Sequence, residues 1–179
     1  SVASIRRLLD TYGKDLEFCQ IQLNWFDWKY QNAEAKVALL NEYKVPIWVM
    51  EPLRGGKLAQ SCLGGEKMLA KSNPDYTPAN WAFGFVESVP GVTMILSGMS
   101  NFEQLKQNIE FFSEKRILSD DDIAILLTAA HYDTTGKNAG TVPCTACRYC
   151  MPCPSGVDIP GNFHHWNLMY IEGKKNPVR

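Results

Sequence analysis

Apolar positions along the chain switch between a helical and an extended period. Val2, Ile5, Leu8 and Leu9 recur at helical spacing, and Gly13 is placed to end that helix. "EFCQIQLNWF", residues 17–26, alternates and is rich in strand formers, which predicts a strand of about six residues. "NAEAKVALLNEYK" returns to the helical period, with Ala33, Val37, Leu40 and Tyr43 on one face. "VPIWVMEPLRGG" is a continuous apolar run that stops at Pro52 and Gly55-Gly56, the pattern of a buried parallel strand. A short helix is expected at residues 66–70. Thr77 as N-cap and Pro78 at the first helical position open the next helix, and Pro90-Gly91 closes it. "VTMILSG" reads as the next buried strand. "SNFEQLKQNIEFF" is a helix capped by Ser100 or Asn101, with Glu103 and Gln104 near its third position. "LSDDDIAILLTAAHYD" is another, capped by Ser119, with Asp120, Asp121 and Asp122 at its positive end. A last helix, about residues 162–173, carries Phe163, Trp166, Met169 and Tyr170 on one face.

Strands alternating with helices of this length predict βαβ units, a parallel sheet and an α/β fold. "TTGKNAG", residues 134–140, has linker composition, which divides the chain into residues 1–133 and a tail of residues 134–179. The 179 residues and the 45% hydrophobic content suffice for one core. A net charge of −1 without basic blocks gives no support for a nucleic-acid or membrane-surface partner, and the apolar runs are too short to span a bilayer. "SVASIRRLLD" has neither an initiating Met nor a signal-peptide core and begins inside a helix, so an upstream part of a longer protein is expected. Cys19 and Cys62 have no sequence-local partner, which argues for a reducing, cytoplasmic setting over a secreted disulfide framework.

The other four cysteines lie in "CTACRYCMPCPSGVDIP". Cys144, Cys147, Cys150 and Cys153 step every third residue, and a proline follows the last. Thiolates bind soft metals, either zinc or the irons of a cluster. Zinc sites usually take two cysteine pairs from separated knuckles, and one short loop wraps poorly around a single ion. A four-iron cube offers successive corners to such a loop. The spacing is close to the bacterial ferredoxin run C-x2-C-x2-C-x3-C-P, with one residue fewer before the fourth cysteine. A [4Fe-4S] cluster is the leading reading, and zinc or a metal-free, disulfide-linked loop are the alternatives. His164 and His165 read as helix-surface residues.

Two loops of the sheet part are candidate ligand sites. "ILSGMSNFEQLKQN" is strand, glycine turn and capped helix, where free N–H groups offer an anion site and Gly98 would admit a phosphate. Its plain reading is an ordinary strand-to-helix turn. "MEPLRGGKL" follows a strand at its C-terminal end, where parallel-sheet proteins place ligands. Glu51 there is either functional or a solvated carboxylate paired with Arg54. Gln20 and Asn24 are polar positions in an apolar frame.

"FCQIQLNWFDW", "VPIWVMEPLRGGKLA", "TPANWAFGFVESVPGVTMILSGMSNFEQLKQN" and "VPCTACRYCMPCPSGVDIP", in that order, resemble the C-terminal portion of the aldo/keto reductase family, in its bacterial branch with a ferredoxin-type tail. The resemblance covers nearly the whole chain. It implies a (β/α)8 TIM barrel that binds NADP or NAD at its C-terminal face, of which this chain holds the sixth to eighth strands, followed by a small helical iron–sulfur tail. By the same resemblance Gln20 matches the residue that hydrogen-bonds the nicotinamide amide, and Met50 the one that stacks on the ring. Glu51, Leu53 and Gly55 match the loop over the pyrophosphate. Gly98, Met99, Ser100, Gln104 and Asn108 match the segment at the adenosine end. There are two departures. No basic residue stands at Gly98, Met99 or Gln104, where the family grips the 2′-phosphate, and Met50 replaces an aromatic ring.

The family's catalytic Asp, Tyr, Lys and His belong to earlier strands, so no catalytic residue is assigned here, and Tyr12, Tyr30, Tyr43 and Tyr76 are no substitutes. The implied function is NAD(P)H-dependent reduction of a small carbonyl substrate by the full-length protein. The cluster would pass single electrons to a redox partner or staple the tail. This chain alone is expected to be inactive and, with an open sheet, to self-associate. The rival readings are an iron–sulfur electron-transfer module without catalysis of its own, and a zinc- or cluster-stabilised structural fragment.

Overall fold

The computed structural model describes residues 1–63, 65–114, 117–135, 140, 142, 144 and 148–172. The chain forms two compact units, Ser1–Ala129 and Ala130–Arg179. The linker core, residues 136–139, lies outside the described residues, as does Cys147.

The first unit is mixed α/β. Three parallel strands, β1 (Cys19–Gln22), β2 (Ile47–Met50) and β3 (Val92–Ile95), lie in the order β1-β2-β3. Cys19 pairs with Ile47 and Gln22 with Met50, and Trp48 then pairs with Met94. Helices α1 (Val2–Tyr12), α2 (Asp27–Tyr30), α3 (Ala33–Glu42), α4 (Glu66–Ser72), α5 (Pro78–Glu87), α6 (Phe102–Ser113) and α7 (Asp120–Thr135) fill the intervals, and α7 runs across the division between units.

The caps follow the side chains that the sequence offers. Thr77 Oγ1 accepts from Asn80 N–H while Asn80 Oδ1 accepts from Thr77 N–H, a reciprocal box that starts α5. Asn101 caps α6 by accepting from Gln104 N–H. Ser119 caps α7, and the buried Asp122 accepts from Ser119 Oγ at 2.6 Å and from Ser72 Oγ at 3.2 Å, tying α7 to α4. At the other end of α5, Gly91 takes φ 84°, and a Cβ there would lie 2.1 Å from Asn41 Oδ1, whose amide in turn donates to Pro90 C=O.

Gly13 ends α1 as expected; it has φ −57°, and a 3-10 turn, Gly13–Asp15, follows, with the Tyr43 ring 3.2 Å from where a Cβ would stand. The expectation that changes is strand burial. The strands are four residues each and are not buried on both faces. Ile21, Ile47 and Val49 are buried beneath the helices, whereas Gln20, Met50, Thr93 and Met94 are exposed and Trp48 is half-buried, stacked on Phe18 at 3.6 Å. Helices cover one face only, and the outer edges of β1 and β3 pair with no strand among the described residues. The core sits on the covered face, where Trp25, Leu39, Leu40, Phe83, Phe85 and Phe111 are fully buried.

In the second unit, α8 (Ile159–Glu172) starts three residues earlier than the apolar pattern suggests. Asp158 explains this: its Oδ1 accepts from Gly161 N–H, and a Cβ at Gly161 would collide with that carboxylate. Asn167 brackets Val142, accepting from its N–H at 2.7 Å and donating to its C=O at 2.8 Å, and Trp166 Nε1 donates to Gly140 C=O. Gly140 and Val142 are thus tied to α8 by side-chain-to-backbone hydrogen bonds. No helix among the described residues is long and apolar enough to cross a membrane.

Candidate functional site

The turn after β2 is built from left-handed residues. Glu51, Arg54, Gly55 and Gly56 have φ of 56°, 50°, 63° and 83°. Glu51 and Arg54 carry side chains in that region, at a cost that an outside anchor must offset. The anchor comes from the end of β1. Asn24 is fully buried, and its Nδ2 donates to Glu51 C=O at 2.9 Å and to Asp27 Oδ2 at 2.9 Å, while its Oδ1 accepts from Asp27 N–H at 2.8 Å. Asp27, also fully buried, accepts from Gln22 Nε2 at 2.7 Å and pairs through Oδ1 with Arg54 Nε at 3.3 Å. The Arg54 guanidinium lies 4.3 Å from the centre of the Phe26 ring. The partner of Arg54 is therefore Asp27 and not Glu51. The Glu51 carboxylate is exposed and approaches Gly55, where a Cβ would be 3.9 Å from its Oε2.

This loop, the start of α5 at Thr77–Ala79 and the segment from Leu96 through the first turns of α6 enclose a cleft of about 780 Å³ at the C-terminal ends of β2 and β3. Seven of the ten dinucleotide-site candidates line it: Glu51, Leu53, Gly55, Gly98, Met99, Gln104 and Asn108. Gln20 and Met50 lie on the uncovered sheet face instead, both exposed. Ser100 stays outside the lining and supports it, since its N–H donates to Gln104 Oε1 at 2.8 Å. Asn108 is held by Ser97 Oγ at 2.9 Å.

Gly98 has no positive φ, and a Cβ there would meet nothing within 4 Å. Neither backbone strain nor packing requires glycine at this position, and its bare backbone leaves open room in the cleft. The cleft also takes in Gln60, Ser97 and Gln107, which the sequence reading passed over. Gln107 could have been found as the residue one turn beyond Gln104 on the same helix face. Asp27 could have been found from its three-residue spacing to Asn24, the local pattern by which Asn and Asp side chains close turns.

In the cysteine loop, Met151 N–H donates to Arg148 C=O and Gly156 N–H to Cys153 C=O, so successive turns fold residues 148–156 back on themselves. Cys150 is an exposed free thiol and Cys153 a half-buried one, while Cys144 is half-buried. Among the described residues no group of three or more His, Cys, Asp and Glu could hold a metal ion, and the remaining thiol of the set, Cys147, falls outside them. The donor chemistry, accessible thiols in one turn-rich loop, fits a soft-metal site.

Cys62 has a different character. It is 1% exposed, and burial together with the nearby Glu66 carboxylate pushes its thiol up to about 12. Burial also raises Cys19. At about pH 8 iodoacetamide should therefore label Cys150 in metal-free folded protein well before Cys62. Peptide mapping by mass spectrometry checks this, and prior labelling of Cys62 would contradict the placement. Because the folded thiol of Cys62 resists ionisation, its contribution to stability is intact below the ordinary thiol value and is lost as pH rises towards about 12.

Comparison of the chain with protein-family models, with curated proteins and with solved structures finds no match.

Proposed function

We propose that this chain is the cofactor-binding, C-terminal part of an aldo/keto reductase-like oxidoreductase, built on part of a (β/α)8 barrel and carrying a [4Fe-4S] tail. The observation that carries the reading is the cleft. Residues far apart in sequence, Glu51 to Gly55 and Gly98 to Asn108, meet at the C-terminal ends of parallel strands, where such sheets bind nucleotides. The uncovered sheet face, with Gln20, Trp48, Met50 and Met94, is where the remaining barrel strands, or a second copy of this chain, would pack.

A bound nicotinamide would supply hydride for a small carbonyl substrate. The chain's own part is to hold the dinucleotide: the loop anchored by Asn24 and Asp27 forms one wall, and Gln104 and Asn108 present amides from the other. Cys144, Cys147, Cys150 and Cys153 would hold the cluster, which supplies one-electron transfer when bound, in a reducing cytoplasmic setting. Among the described residues no tyrosine, histidine or lysine lines the cleft, so the proton donor is assigned to other parts of the full-length protein. That same observation favours the second reading, an iron–sulfur module without catalysis of its own.

Saturation-transfer NMR with NAD+ and NADP+ tests the proposal on this chain. Binding of at least one dinucleotide is expected, weakened by on the order of tenfold or more in Gly98→Asp, which places a carboxylate in the open space facing the phosphates. Unchanged binding in the variant would reduce the Gly98 turn to a structural element. Absence of binding by either dinucleotide would favour the module reading.

A further inference from the structure

We infer that Cys150 holds the releasable corner of the cluster, so that an oxidant frees the iron there and leaves a three-iron cluster on the other cysteines. This rests on the [4Fe-4S] reading above and adds to it a redox response carried by the fold of the loop.

The described thiols of the set differ in exposure and in what ties them down. Cys150 is exposed, whereas Cys144 and Cys153 are half-buried. Tyr149 and Cys150 are the central residues of a turn closed by Met151 N–H, which donates to Arg148 C=O at 2.8 Å. Their surroundings face solvent: Arg148 is exposed and Tyr149 is 95% exposed. Cys144 N–H donates at 2.7 Å to Val142 C=O, and Val142 is bracketed by Asn167 of α8. Cys153 C=O accepts from Gly156 N–H at 2.9 Å, in the turn that leads to Asp158 and the start of α8. Cys144 and Cys153 thus stand near the two ends of the loop, where it joins α8, and Cys150 stands at a turn tip between them.

Solvent access governs how readily an oxidant or a chelator reaches an iron. Segments with few buried contacts are also the ones that open first. The iron on Cys150 meets both conditions. A resting cube holds two ferric and two ferrous irons. One electron passes to an external oxidant, such as ferricyanide, which becomes ferrocyanide. The Cys150 thiolate–iron bond and that iron's bonds to cluster sulfide break, and the iron leaves as Fe2+. Three ferric irons and four sulfides stay on Cys144, Cys147 and Cys153, and the freed Cys150 thiolate takes a proton from water.

Anaerobic protein titrated with ferricyanide in the presence of a ferrous-iron chelator tests this. The wild-type chain is expected to release about one of its four irons and to gain the EPR signal of an oxidised three-iron cluster. Cys150→Ala should carry that cluster as purified, with about three irons per chain and no further release. Cys144→Ala, Cys147→Ala and Cys153→Ala should lose most of their iron. Release of all the irons together without the three-iron signal, or no release, would overturn the releasable corner and leave the cluster standing. A three-iron product in any of the other three variants as readily as in Cys150→Ala would take the corner away from Cys150. A colourless wild-type protein would remove the cluster and the corner with it.

Discussion

Replacing Asp27 with alanine is expected to destabilise the 1–129 unit by about 3–5 kcal/mol, the range for removing one partner of a buried ion pair. Asp27 is fully buried and the Arg54 side chain is 12% exposed, so the guanidinium left behind has little water to turn to. The loss reaches further than one pair, because Asp27 also accepts from Gln22 and Asn24, and Asn24 holds the Glu51 carbonyl. Arg54→Met should cost as much or less, leaving a carboxylate that keeps two of its donors. The double variant Asp27→Ala/Arg54→Met should recover part of the sum, since no charge is then left uncompensated. Urea unfolding followed by circular dichroism gives all three values. A loss in Asp27→Ala of under about 1 kcal/mol, in the range of exposed pairs, would show that the network does not anchor the loop.

Protein purified without oxygen is expected to be brown and to carry about four irons and four sulfides per chain, as four cysteines on a cubane cluster require. Serine is a poor replacement for a thiolate on iron, so Cys147→Ser should bleach the protein. Cys62→Ser should leave the colour intact, because that thiol is buried in the other unit. Iron analysis and the visible spectrum give the answer. A colourless protein with one zinc per chain would replace the cluster with the tetrahedral alternative. Loss of colour in Cys62→Ser as well would place the ligands elsewhere.

The linear pattern by itself determined the order of the strands and of the longer helices, though not the short α2 between β1 and α3. Thr77, Asn101 and Ser119 cap the helices that their positions predict, because capping is a bond between a side chain and a backbone amide two or three residues away. The parallel sheet followed from strands alternating with helices. The spacing of the four cysteines was equally plain, and so was the list of residues from Glu51 to Asn108 that resemblance pointed to. Tertiary structure decided what covers what. Val92 to Ile95 reads as a buried strand, yet Met94 is exposed, because it lies on the same face as Trp48 and Met50 and helices pack on the other face; Thr93 is exposed where the pairing of β3 with β2 slips register between Ile47 and Trp48. Arg54 looked three residues back to Glu51 for a partner and found Asp27, twenty-seven residues away, since only the pairing of β1 with β2 brings the two together. The cleft is a product of the same kind. It gathers Glu51, Leu53 and Gly55 with Gly98 and Asn108 and leaves Gln20 and Met50 on the open face, because alternate residues of a strand point to opposite sides of the sheet.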